Sequence, residues 1–347
     1  KPTPSGVTMA GHTGWMADTA RIRLHSISSR AWEHPADRGA LVALRKLKGF
    51  DLVVRKLSGL LNERMVKMML LGSAVRVSER QFPRVHRLYT DVVTTLDAPE
   101  PPELFVSASP ILNAVTIGID RPKIVLNSAL IDLLDEEELR YVLGHELGHA
   151  LSGHALYRTL LAYVMMIGQS VSSIPFGGVG LYVVRLALTE WARTSELSGD
   201  RAGLLATQDV QVAVRVQMKL ASGGHLDQLD QTEFLAQARE YEESDDLGDS
   251  IMKLLMLDSL SHPMGVVRAA EIRRWVDSGA YAAVLGGDYP RRDGDADAKI
   301  SEEAAAAADA YATTFRESED AAVKLMRDVG DTLGNVGKWV GDKFKGQ

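Results

Sequence analysis

The stretch Val142-Leu143-Gly144-His145-Glu146-Leu147-Gly148-His149 constrains this chain more than any other part of it. Two histidines four residues apart on a helix project from one face, so both imidazoles can hold the same metal ion. The glutamate after the first histidine then lies beside that ion, placed to take a proton from a bound water. The surrounding residues specify the helix. Asp135 and Glu138 have capping-box spacing, Glu136 and Glu137 suit the positive end of the helix dipole, and Leu139, Val142, Leu143, Leu147, Ala150 and Leu151 recur at helical spacing. Gly144 and Gly148 run against this pattern, since glycine inside a helix costs about 1 kcal/mol relative to alanine. Their presence implies that another backbone, or a substrate, approaches closely at those turns.

A catalytic zinc site needs a third protein ligand and an open fourth position. Downstream, the stretch from Trp191 to Ala202 reads as a helix that carries Glu196 and Asp200 four residues apart, so both carboxylates share a face. In a site built from two histidines and a glutamate, the first carboxylate binds metal. The second accepts a hydrogen bond from the other ring nitrogen of a ligand histidine, fixing its tautomer and raising its basicity.

In order and spacing, these segments resemble the zinc metallopeptidases that include the HtpX heat-shock protease and the CaaX prenyl endopeptidase. The resemblance rests on Asn113-Ala114-Val115-Thr116-Ile117-Gly118, Leu139 to His149, Ser195 to Ala202, and Ser261-His262-Pro263 followed by Arg268. It covers about Pro102 to Trp275, half of the chain. It implies an α+β, mostly helical fold of the zincin type, with a small β-sheet over the metal helix. It also implies one Zn²⁺ per chain on His145, His149 and Glu196, with Glu146 as general base, Asp200 behind the ligands and His262 near the reacting carbonyl. One departure is Ser198-Gly199 before Asp200, where family members more often have alanine; the ligand spacing is unaffected.

The implied activity is that of a zinc-dependent metalloendopeptidase acting on a polypeptide, with Glu146 drawing the proton from the attacking water. His262 is a candidate donor to the developing oxyanion, a role worth on the order of 3 kcal/mol in comparable sites. A plain turn histidine before proline is its alternative. Arg268 either orients that segment or is an exposed helical arginine. Asn113 to Ile119 reads as a short strand, and an edge strand beside the metal would hold an extended peptide by main-chain hydrogen bonds, with Asn113 and Ala114 at its start. Two other functions fit the motifs: a catalytically silent, chaperone-like zinc module that binds polypeptide, and a hydrolase of a non-peptide amide. Glu146 favours catalysis, because a zinc clamp alone does not require it.

The rest of the sequence bounds the setting. With 347 residues, 46% of them hydrophobic, the chain can bury a sizeable core. It has no cysteine, which excludes disulfides and thiolate metal sites and fits a reducing cytoplasm. Residues 1–90 carry 16 Lys and Arg against 6 Asp and Glu, and the remainder 23 against 40. The net charge of −7 argues against a nucleic-acid partner. Between Leu41 and Val77, basic residues alternate with apolar ones at helical spacing, a pattern that either lies on an anionic membrane or packs against the acidic part of the chain. Thr159 to Val184 has no charged residue, but Pro175 and Gly177-Gly178 divide it into halves too short for the ~20 apolar residues of a spanning helix. It reads as a helical hairpin, buried or dipping into a bilayer surface. The expected location is the cytoplasm, including the inner face of the cell membrane.

The resulting division is a flexible segment 1–39, a basic amphipathic helical region 40–100, a metallopeptidase domain 101–289 containing the apolar hairpin 155–190, and a region 290–347 in which the acidic, alanine-rich Arg291 to Asp309 reads as a linker or a weakly held helix ahead of an amphipathic tail. Strands are expected near Leu104 to Ser107, Val115 to Ile119 and Lys123 to Leu126. Helices are expected at Val210 to Leu220, Thr232 to Tyr241, Ile251 to Leu260 and Val266 to Val276. In the tail, Val323, Met326, Val329, Leu333, Val336, Val340 and Phe344 form one stripe that calls for a partner surface: the catalytic domain, a second copy forming a homo-oligomer, or a membrane.

Overall fold

The motif helix, α5 (Glu136–Leu151), begins where its cap residues place it. Asp135 accepts a hydrogen bond from the Glu138 backbone N–H, and the Glu138 side chain accepts one from Asp135 N–H, completing the capping box. Glu138 is buried and also receives Lys219 Nζ at 2.6 Å and Arg215 Nε at 2.7 Å, which ties the start of α5 to a later helix. The computed structural model describes residues 21–46, 63–171, 179–243 and 265–313.

Around α5 stand α1 (Pro35–Lys46), α2 (Glu63–Ser73), α3 (Pro83–Thr95), α4 (Ser128–Leu133), α6 (His154–Val171), α7 (Val179–Thr207), α8 (Val210–Ser222), α9 (Gln231–Glu243), α10 (Gly265–Asp277), α11 (Ala280–Leu285) and a last helix, α12, over residues 302–313. The sheet has four strands, β1 (Val75–Arg76), β2 (Glu103–Ser107), β3 (Ala114–Ile117) and β4 (Lys123–Asn127), in the order β1-β2-β4-β3. The β2–β4 pair is parallel, and the β1–β2 and β3–β4 pairs are antiparallel. The fold is therefore α+β and mostly helical.

Strand alternation assigns the two faces of the sheet. Leu104, Ala114, Ile124 and Leu126 join the main core with Leu139, Leu143 and Leu147 of α5 and Val85, Leu88 and Val92 of α3. Phe105 and Val125 point the other way, onto Leu70 of α2. β3 lies at the end of the sheet, beside both α5 and α6.

The closest helix pair is α5 with α7, and glycine permits it. A Cβ on Gly144 would lie 2.4 Å from Ala206 Cβ, and one on Gly148 would lie 2.4 Å from Ala202 Cβ. The close approach expected from these glycines is thus made by a neighbouring helix. The apolar hairpin is formed by α6 and the first half of α7. Tyr157, Leu160 and Val164 pack with Leu188, Trp191, Leu44 of α1 and Tyr311 of α12. Among the described residues, no helix is long and apolar enough to cross a membrane.

One expectation needs correction. Residues 21–39 are not a flexible lead-in: Leu24, Ile27 and Trp32 are buried in the main core, and Leu24 N–H donates to Thr95 O at 2.9 Å. Of the two readings of the stretch after Pro290, the described residues 291–313 follow the helical one and are tied down. Ile27 bridges Arg291, Arg292 donates to Asp97 O at 2.7 Å, and Ala304, Ala308 and Tyr311 are buried. Gly39 makes room for this helix, since a Cβ there would lie 2.6 Å from Ala308 N. Small alanines pack without the spaced large side chains that periodicity detects. The expected helix from Ile251 to Leu260, His262 and the tail stripe from Val323 to Phe344 lie outside the described residues.

Gly144→Ala tests the α5–α7 contact. Helix propensity alone would stabilise the variant by about 1 kcal/mol. Overpacking costs about 1–3 kcal/mol and dominates, because the obstructing atom belongs to a buried helix. Urea denaturation should show net destabilisation, and adding Ala206→Gly should recover part of it.

Candidate metal centre

α5 presents His145 and His149 on one face, and α7 lays Glu196 across them. The Nε2 atoms of the two histidines are 3.0 Å apart, and each lies 3.4 Å from an oxygen of Glu196. All three side chains are buried, and their ligand atoms fall within 4.8 Å of one another, compact enough to share one ion. Two imidazole nitrogens and a carboxylate oxygen are the donors a catalytic zinc ion takes. Gly199, between Glu196 and Asp200 on α7, makes this arrangement possible, since a Cβ there would lie 2.6 Å from the His145 ring. The Ser198-Gly199 departure therefore has a steric consequence in this chain.

The outer ring nitrogens of both histidines have partners. His145 Nδ1 lies 3.1 Å from Asp200 Oδ1. Asp200 also accepts Tyr141 O–H at 2.7 Å and two guanidinium N–H groups of Arg268, at 2.6 and 2.7 Å. Arg268 is thus a buried anchor, not an exposed helical arginine. Its other nitrogen lies 3.3 Å from Glu196 Oε2, so one cation holds both carboxylates of α7. His149 Nδ1 faces His154 Nδ1 at 2.9 Å. Arg158 of α6 donates to Glu196 and reaches His149 Nε2 at 3.1 Å.

These contacts set the charges. Burial disfavours a charged His145, but Asp200 and Glu196 outweigh it and raise its pKa to about 9. His149 goes the other way, pushed well below its ordinary value by burial and by the positive Arg158. Burial alone would raise the Asp200 carboxyl, yet Arg268 and His145 hold it at about 2. Glu146, Glu196 and Asp200 are thus balanced chiefly by Arg158 and Arg268.

Glu146 is buried next to β3. The single hydroxyl proton of Thr116 has two acceptors on it, Oε2 at 2.6 Å and the backbone carbonyl at 2.9 Å. Ala114 and Thr116 occupy the strand face turned toward the core, and Asn113 directly precedes them, its carbonyl accepting Asn127 N–H at 3.0 Å. The fold thus gathers His145, Glu146, His149, Glu196, Asp200 and Arg268, with Ala114 on the adjoining strand and Asn113 just before it. His262 lies outside the described residues. Gln217 of α8 also donates to Asp200 Oδ1 and to Tyr141 Oη, both at 3.2 Å. The sequence alone assigns no role to Thr116, Tyr141, His154, Arg158 or Gln217. Tyr141 stands one helical turn before His145, and His154 is a third histidine just past the motif, so both carried a signal. Arg158 and Gln217 carried none.

Two histidines and a glutamate around one point, with a second glutamate on the motif helix, define a metallohydrolase. The chain belongs to Peptidase family M48, whose model matches residues 79–276. It is 37% identical over 260 residues to the plastoglobule-localized metallopeptidase 48, chloroplastic, of Arabidopsis thaliana, a stretch covering 73% of this chain and 74% of that protein. It is also similar to protease HtpX homologues: 31% identical over 93 residues to that of Methanothermobacter thermautotrophicus, and 33% over 121 residues to that of Halobacterium salinarum. These matches span 36% and 39% of the two archaeal proteins. No solved structure matches the chain at a comparable level. The chain is a metalloendopeptidase, a hydrolase of peptide bonds.

Thr116→Val keeps the strand's shape and removes the hydroxyl on Glu146. A hydrogen bond to a charged group contributes about 1.5 kcal/mol or more. Turnover of a peptide substrate should therefore fall roughly tenfold with metal content unchanged, as measured by steady-state kinetics beside elemental analysis.

Proposed function

We propose that the enzyme holds one Zn²⁺ per chain on His145, His149 and Glu196 and hydrolyses polypeptides with Glu146 as the general base. The observation that carries this reading is the convergence of three buried donor groups beside Glu146. When bound, the zinc ion acidifies a water and polarises the scissile carbonyl. Glu146 accepts the proton of the attacking water and hands it to the leaving amine. Thr116 fixes the carboxylate that does so. Asp200 and Arg268 keep His145 in register, and Arg158 neutralises the carboxylates as the substrate displaces solvent.

We assign the substrate main chain to β3, with Ala114 at the start of that strand and Asn113 just before it. The support is the position of β3 at the end of the sheet and its contact with α5. His262, ahead of α10, is assigned to the oxyanion by its place in the sequence motif alone.

Glu146→Gln should retain stoichiometric zinc and lose cleavage by several orders of magnitude. His149→Ala and Glu196→Ala should lose most of the zinc. The assay is incubation of the zinc-loaded protein with an unfolded-protein mixture, reading new N-termini by mass spectrometry. Full activity of Glu146→Gln rules out the assigned base. Zinc retained in both ligand variants rules out the assigned donors.

A peripheral contact with a membrane from the reducing, cytoplasmic side completes the reading. In its support, α2 exposes Met65, Met68, Met69 and Leu71, an apolar surface without cover among the described residues. The intact chain should float with anionic vesicles, and Met65→Ser/Met68→Ser/Met69→Ser should remain in the dense fraction with its zinc content unchanged. Equal flotation of both proteins would remove α2 from the contact.

A further inference from the structure

Behind His149, away from the other two donors, runs a buried chain of polar groups that the reaction above does not use. His149 Nδ1 meets His154 Nδ1 at 2.9 Å, and His154 Nε2 meets Asp37 Oδ2 at 3.1 Å. Asp37 lies on α1, before residue 79, where the M48 family model begins. Its carboxylate also accepts Ser198 O–H at 2.6 Å on Oδ2 and Trp191 indole N–H at 3.1 Å on Oδ1. Ser198 Oγ in turn accepts the backbone N–H of His34 at 2.8 Å. Asp37, His154 and Ser198 are each at most 2% exposed, and the His154 ring stands edge-on to Trp191 with centroids 5.5 Å apart.

The proton positions along this chain are interdependent. If His149 offers the Nε2 lone pair to a metal, its proton is on Nδ1 and must be donated to His154 Nδ1. His154 Nδ1 is then an acceptor, so the His154 proton sits on Nε2 and is donated to Asp37. Asp37 receives only donors, from His154, Ser198 and Trp191, as a carboxylate requires. One tautomer of each ring satisfies every contact along this chain, and it is the one that leaves His149 Nε2 unprotonated, its lone pair turned toward His145 Nε2 and Arg158.

We infer that Asp37, acting through His154, sets the tautomer and orientation of His149 and so makes metal affinity depend on the docking of α1. This rests on the reading of His149 as a metal ligand. Asp200 performs the same task for His145 directly. For His149 the carboxylate is one imidazole further away and comes from a helix outside the family-model match. Asp37 and His154 are positioning residues. Neither touches the metal or the substrate, and outer partners of this kind typically carry 10- to 100-fold in metal affinity.

The test uses full-length protein and reads zinc affinity by chelator competition, with folding followed by circular dichroism. Asp37→Asn replaces one acceptor oxygen by a donor and removes the charge, and should weaken zinc binding by about 10- to 100-fold. His154→Gln can still accept from His149 and donate to Asp37, whereas His154→Phe keeps only the packing on Trp191. The Gln variant should therefore bind zinc more tightly than the Phe variant. In zinc-loaded protein with ¹⁵N-labelled histidine, long-range ¹H–¹⁵N correlation should show His149 protonated on Nδ1 and His154 on Nε2.

A His154 protonated on Nδ1 would overturn the proposal. So would equal zinc affinity in the Gln and Phe variants, or an Asp37→Asn that folds and binds zinc within twofold of wild type. If Asp37→Asn fails to fold, the His154 pair and the tautomer spectrum decide the matter. His149→Ala is the separate control: zinc retained there defeats the ligand assignment itself, whereas zinc lost there with Asp37→Asn unaffected defeats only the role of Asp37.

Discussion

The contact between α5 and α7 underlies everything else in this structure. Glycine at 144 and 148 lets the alanines of α7 sit where side chains would otherwise hold the helices apart, and glycine at 199 admits the His145 ring. This close approach brings Glu196 to 3.4 Å from both histidines. The helix-weakening cost of three glycines is thus tied to the geometry of the centre. The residues that look least helical in these two helices are the ones that make the site.

Burial sets the second constraint. Three carboxylates and two imidazoles are withdrawn from water around one point, and unpaired charges there would be strongly destabilising. The fold answers with Arg268 from α10, which spans Asp200 and Glu196, and Arg158 from α6, which pairs with Glu196. Each imidazole is gripped from behind by an acceptor: His145 by Asp200, and His149 by His154 backed by Asp37. A centre assembled from α1, α5, α6, α7, α10 and β3 couples metal binding to the packing of most of the molecule.

Much of this was legible in the sequence, for reasons that differ between elements. The capping box at Asp135 and Glu138, the histidine spacing and the carboxylate spacing are local, and a helix turns them into geometry without outside help. The three longer strands are also readable, because each is a short apolar or β-branched run of four or five residues. The burial of residues 21–39 and 291–313 is not legible locally, because it depends on contacts with each other and with α3, α7 and the hairpin. The burial of Arg268 is not legible either, because nothing adjacent to it in sequence reveals the carboxylates it meets.

The sequence by itself determined the donor set and its helical spacing, since i and i+4 on one helix share a face whatever surrounds them. Only the tertiary structure decided which groups hold those donors. Asp37 reaches His154 across 117 positions of chain, Arg268 reaches Asp200 across 68, and Thr116 reaches Glu146 across 30. Such partners are chosen by the packing of helices and strand ends, where close approach is decided by the absence of a methyl group, and no local pattern records it.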